Sequence, residues 1–315
     1  PLSVTLENRG KGFQGRLEVE TASGSEYRND IRHRVYAAEV NLPQGSQKTF
    51  HFTLYVDSFA HPLLIRLTKG QEVLPLQSIN LRNHFVEKPL LLFAGGSPGD
   101  LQALPSEAYH PVYSPLSTLP RSWYGYLSLK ALILEAGSLN SLTSGQYDAL
   151  TDWVESGGYL ILIGAPWQGS PMPQRLKTLL SLEVLGLEKK KRLPALERFI
   201  GSPLPSREPF LLLSLSAPQE AILLKDGDSP LLLEKNCGLG KIILLTFDVN
   251  HRPFRNWAGK PKFWSALIKR APQAEEISLP ALEEKIFAAL ITHLPGRFPP
   301  FFSVLFLMLV YVLGI

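Results

Sequence analysis

A single cysteine, Cys237, occurs in 315 residues. That excludes an internal disulfide and any zinc site built from cysteines. Charge is sparse as well: Asp, Glu, Lys and Arg make up 19% of the chain, and the net charge is only +4. The basic residues are scattered except for Lys189, Lys190, Lys191 and Arg192. This cluster reads as a solvated loop or helix end, and nucleic acid is not expected as a partner. Neither the Walker sequence nor the dinucleotide-binding glycine fingerprint is found, and His33, His51, His61, His84, His110 and His293 lack metal-ligand spacing. No metal and no cofactor is expected. Residues 301–315 lack charge entirely. Fifteen helical residues reach about 22 Å, short of the roughly 30 Å hydrocarbon core, so they read as the start of a truncated transmembrane helix. At the other end Pro1 stands within an apparent strand, which leads us to expect sequence upstream.

The chain is nevertheless 45% hydrophobic, enough for two cores. Its clearest pattern is strand, helix, strand over residues 130–166. Ala131, Leu132, Ile133 and Leu134 form a run suited to a strand buried on both faces. Thr143 and Gln146 then fit a capping box, and Tyr147, Leu150, Trp153 and Val154 repeat at helical spacing. Gly157 and Gly158 end the helix before the apolar run 159–163. Two such strands joined by one helix are expected to lie parallel.

Around this unit the fold is expected to be multidomain. Residues 1–86 show short alternating segments separated by Gly, Asn, Asp and Pro, best seen where Phe50, Phe52, Leu54 and Val56 share one face. They are expected to form an all-β immunoglobulin-like sandwich of about seven strands, without the Cys–Trp–Cys signature. Residues 87–275 are expected to form an α/β three-layer, flavodoxin-like domain, with strands near 90–93, 210–215 and 241–247, helices near 173–182 and 261–269, and an antiparallel addition over 221–233. Residues 276–297 form an expected juxtamembrane amphipathic helix, and residues 298–315 the membrane segment.

Chemistry on such a sheet belongs beyond the carboxyl ends of the strands. Gly95 and Gly96 in the loop after 90–93 offer either an anion cradle or a plain tight turn. Glu135, Asp248 and His251 at strand ends can supply an acid/base or metal site if they converge, or simply cap loops. Trp167 and Trp257, with Trp264, offer a stacking surface for a sugar or belong to the core. Ala165 lies in the same rim as Trp167. Cys237 reads as an inert small residue in a strand-connecting turn.

The segments LTSGQYDAL, WVESGG and YLILIGAP, following a buried strand, resemble the class I glutamine amidotransferase-like superfamily. Its nucleophile elbow has no counterpart here: residues 164–169 read GAPWQG, without cysteine, and the family's His-Pro-Glu is absent around His251. The β-sandwich, the LPQGS turn, the GLGK strand and the apolar end are together similar to uncharacterised bacterial membrane-anchored proteins. The resemblance implies an extracytoplasmic location; with the missing elbow cysteine, the sandwich and the apolar end, the expected function is that of a non-catalytic pseudoenzyme, anchored in the membrane by its C-terminal helix, that binds or scaffolds a partner protein or ligand in the bacterial envelope. The alternative is a hydrolase or lyase, or a glycan-binding module, using the rim. The expected ligand-binding residues are Gly95, Gly96, Ala165, Trp167 and Trp257, and the catalytic residues of the alternative are Glu135, Asp248 and His251.

Overall fold

The computed structural model describes residues 2–23, 31–56, 58–95, 104–164, 174–204 and 208–272. The expected juxtamembrane helix and membrane segment lie outside them.

Alternating polar and apolar residues build six strands before residue 80: β1 (Leu2–Glu7), β2 (Phe13–Ser23), β3 (Arg32–Leu42), β4 (Gln47–Phe52), β5 (Leu63–Lys69) and β6 (Glu72–Ile79). Four form an antiparallel sheet in the order β3-β2-β5-β6, while β1 pairs only with β4. Leu17, Val19, Leu63 and Ile65 from the first sheet meet Val4, Phe50 and Phe52 from the second. The expected seven-strand immunoglobulin-like sandwich is therefore corrected to a four-stranded sheet and a two-stranded ribbon. One physical reason is visible at β4, which stops at Phe52: the Tyr55 amide donates to the Tyr36 hydroxyl at 2.9 Å, and Val56 is exposed.

The second part follows a short 3-10 turn at Leu81–His84. Its elements in chain order are β7 (Leu90–Ala94), β8 (His110–Ser114), β9 (Leu129–Glu135), α1 (Ser144–Glu155), β10 (Tyr159–Ile163), α2 (Gln174–Leu180), β11 (Glu183–Lys190), α3 (Pro194–Ile200), β12 (Phe210–Ser216), β13 (Ile222–Asp226), β14 (Ser229–Cys237), β15 (Gly240–Leu245), α4 (Arg252–Arg255) and α5 (Lys260–Ile268). Seven of these strands make one sheet in the order β13-β14-β15-β10-β9-β7-β8. The five from β15 to β8 are parallel; β14 and β13 run antiparallel to their neighbours at one edge.

Period-two alternation sends successive side chains into two cores. Leu132, Leu134, Leu160 and Leu162 pack with Leu150, Trp153 and Val154 of α1. Ile133, Ile161, Ile243 and Leu245 pack on the other face with Phe263, Trp264 and Leu267 of α5. Thr143 and Gln146 close the capping box at the start of α1, and Gly157 ends it at φ +114°.

The flavodoxin-like expectation is also corrected. The apolar run 210–215 was expected within the main sheet, yet β12 pairs with β11 in a separate two-stranded sheet, and β8 supplies the edge instead. The result is a mixed-sheet α/β fold. Among the described residues no helix is long and apolar enough to cross a membrane, so the expected membrane architecture receives no support from the structure.

Candidate functional site

The antiparallel pair of β11 and β12, a wide hairpin connected through α3, meets the carboxyl end of β15. The Leu213 amide donates to the Thr246 carbonyl at 2.7 Å, and the Thr246 amide to the Leu231 carbonyl at 3.0 Å. Phe210 and Leu212 of β12 enter one core while Leu213 and Leu215 enter the other. This seam leaves no space for a side chain at Gly164, where a Cβ would stand 2.3 Å from the Leu245 carbonyl oxygen and 2.8 Å from Leu213 Cδ1. Gly164 at the end of β10 is thus closed in by packing.

The loop after β15 borders a cleft. Asp248 Oδ1 accepts from the Asn250 amide at 2.8 Å, and the Asp248 carbonyl accepts from the His251 amide at 3.2 Å. These bonds turn the chain into α4 and place Asp248 and His251 on one cleft with Leu211, Pro253 and Phe254. The cleft encloses about 10 Å³, the space of one water. Its floor is rigid, since Phe254 packs on Phe247 at 4.8 Å and on Phe210 at 5.0 Å between ring centroids. Next to it, Asn250 Oδ1 is buried and has no hydrogen-bond partner among the described residues. A buried acceptor in that state calls for a water or a ligand donor.

Glu135 is not part of this cleft. It pairs with Ile163, which in turn pairs with Leu245, so two strand spacings, about 10 Å, separate Glu135 from the base of the Asp248 loop. The structure brings together two of the three expected acid/base residues. At Gly95, φ is +83° and a Cβ would come within 2.9 Å of Ser138 Oγ, so the turn after β9 fills the space there. Gly96, Ala165 and Trp167 lie outside the described residues. Trp257 belongs to the core, 4% exposed and packed edge-on to Phe254, and Trp264 is equally buried. The expected stacking surface therefore loses Trp257. An exposed tryptophan does occur at Trp123, set edge-on to Tyr124 at 6.1 Å. The aromatic run Trp123, Tyr124, Tyr126 was the signal for it.

Burial raises the pKa of the Cys237 thiol, the nearby Glu155 charge adds to the shift, and Lys235 opposes it. A thiol held protonated is a poor nucleophile. Sequence reading also missed a polar cluster that joins the hairpin to the sheet edge. Ser229 Oγ donates to Glu188 Oε2 at 2.6 Å, Lys190 donates to the Asp226 carbonyl, and Asp226 Oδ1 accepts from the Ala195 amide at 3.1 Å. Lys190 thus faces partners in the fold, where the basic run had suggested solvent.

Residues 1–82 match the family model described as a domain of unknown function, DUF8726. No curated protein matches the chain. Among solved structures, a cytoplasmic protein from Salmonella typhimurium, STM3548, is 14% identical with a TM-score of 0.46, covering 59% of this chain and 99% of that one. Another, STM1381 from Salmonella typhimurium LT2, is 16% identical with a TM-score of 0.44, covering 58% and 99%. A β-galactosidase from Bacillus circulans is 11% identical with a TM-score of 0.38; the match covers 58% of this chain and 31% of the enzyme.

Several expectations are corrected at this point. The amidotransferase-like resemblance is not retained, because the flavodoxin-like sheet it implied is not the one observed: β12 pairs with β11 apart from the main sheet. With it goes the pseudoenzyme reading, because its premise was a family nucleophile that had been lost. Membrane anchoring, an envelope protein partner and an extracytoplasmic location are likewise not carried further: among the described residues no helix is long and apolar enough to cross a membrane.

Proposed function

We propose that the chain is a hydrolase whose chemistry takes place at the loop after β15, with Asp248 and His251 as an acid/base pair around one water. The observation that carries this reading is their shared cleft, sized for a single water, at the carboxyl end of a parallel strand. In this reading the His251 imidazole takes a proton from that water as its oxygen attacks the substrate, and returns it to the leaving group as the bond to that group breaks, while Asp248 borders the same water. The substrate lies across the mouth, since the cleft itself admits nothing larger than water. The β-galactosidase match spans 31% of that enzyme and plays no part in the reading.

The test is turnover of chromogenic glycosides and esters by the full chain and by Asp248→Asn and His251→Gln. Activity that falls about 100-fold or more in both variants, with unchanged melting temperature, supports the reading. Absence of turnover across both substrate classes, or turnover indifferent to both changes, refutes it and leaves Asp248 as a turn-forming residue.

A further inference from the structure

A second cavity lies apart from the Asp248 loop: its floor strands β9, β7 and β8 stand two, three and four strand spacings, about 10–19 Å, from β15. It encloses about 180 Å³ over the face of the sheet edge. Its floor is Leu90 and Leu92 of β7, Val112 of β8 and Leu129 of β9, all only half-buried because α1 does not extend over these strands. Its roof is the segment between β8 and β9. That roof is fixed in place: Gln146 Nε2 donates to the Leu116 and Leu119 carbonyls at 2.9 and 3.0 Å, and the Tyr126 hydroxyl donates to the Pro120 carbonyl at 3.0 Å. Gly125 packs so closely on Pro120 that a Cβ would stand 2.5 Å away. The cavity is therefore preformed, as small-molecule sites usually are.

Its polarity is directional. Thr118 Oγ1 lies 2.5 Å from Ser114 Oγ. Whichever hydroxyl donates to the other, the remaining proton goes to the Pro115 carbonyl, 2.8 Å from Thr118 Oγ1 and 3.4 Å from Ser114 Oγ. Both hydroxyl protons are then used, and the lone pairs that remain on Ser114 and Thr118 can only accept. A cavity of roughly 150 Å³ lined by aliphatic side chains holds a benzene ring. We propose that this site binds a single six-membered ring bearing one hydroxyl, a phenol or cyclic alcohol, with the ring among the four aliphatic residues and its O–H donated to Ser114 Oγ. The site is independent of the hydrolase reading.

The probe is phenol, titrated into the methyl-labelled full chain by NMR, with benzene and anisole as comparators. The expected result is saturable binding with Kd about 0.1–1 mM and nuclear Overhauser contacts from the phenol ring to methyls of Leu90, Leu92, Val112 and Leu129. Anisole, which cannot donate, should bind about tenfold more weakly than phenol. Ser114→Ala combined with Thr118→Val should reduce phenol affinity by a similar factor and leave benzene unchanged. Contacts to other methyls, or a lack of saturable shifts in the wild-type chain, overturn the site. Anisole binding as tightly as phenol overturns the assigned ligand class.

Discussion

Replacing Glu234 with glutamine should cost about 2 kcal/mol of stability at pH 7, and the loss should fade in acid. Glu234 lies on β14 with its side chain 20% exposed, and accepts from Arg270 Nε at 2.8 Å and Lys241 Nζ at 3.0 Å. It joins two strands to the end of α5. Burial by itself would raise the carboxyl pKa, but hydrogen bonds from Arg270 and Lys241, together with their charges, outweigh it and hold the pKa below the usual 4.5. Hydrogen bonds to charged groups contribute about 1.5–3 kcal/mol each. Glutamine keeps one acceptor oxygen, and Arg270 is 35% exposed, so solvent screens its share and the net loss is nearer the contribution of one bond. A carboxyl whose folded pKa is lowered stabilises the fold fully above its unfolded value, and that contribution disappears as pH falls through the folded value. Urea unfolding of wild type and Glu234→Gln between pH 7 and pH 3 should therefore show a constant gap down to about pH 5 that narrows below about 4.5. Equal stability at pH 7 would refute the reasoning, as would a gap that persists unchanged to pH 3.

Gly164→Ala should destabilise the chain by about 2–3 kcal/mol in urea unfolding, because the added methyl meets the Leu245 carbonyl and Leu213 Cδ1 where the hairpin crosses the sheet. A neutral result would mean that the hairpin seam yields easily. Gln146→Ala removes half of a capping box and two hydrogen bonds to the roof segment at once. We expect a loss of about 2–3 kcal/mol, measured the same way, with faster amide exchange at residues 116–128. A loss confined to α1, without faster exchange there, would contradict the role given to Gln146.

How far the sequence announces this fold depends on where each apolar residue gets its partner. Around α1 the partners are local. The Thr143–Gln146 box and the helical spacing of Leu150, Trp153 and Val154 follow from contacts within one turn, and they stand in the structure as their spacing indicates. The run 210–215 is different. Phe210, Leu212, Leu213 and Leu215 have the pattern of a strand buried on both faces, and β12 is buried on both faces. Periodicity reports that burial without reporting whether the strand lies in the sheet or crosses its end, and the crossing is decided by Leu213 bonding to Thr246, 33 positions away in the chain.

The same limit governs the candidate site. Asp248 and His251 are three residues apart, so the turn that brings them to one cleft is a local property of the sequence, held by the Asn250 amide on Asp248 Oδ1. Glu135 belongs to another strand, and its distance from them is set by β10 standing between β9 and β15. Glu135 and Asp248 are both carboxylates at or just past the carboxyl end of a strand, which is why the sequence groups them and only strand order separates them. Buried Trp257 makes the converse point: an aromatic residue near a rim reads as a ligand contact until α4 and α5 are seen to enclose it with Phe254 and Phe263. A functional claim for this rim therefore has to rest on residues that share one turn and one cleft, and Asp248 and His251 meet that condition.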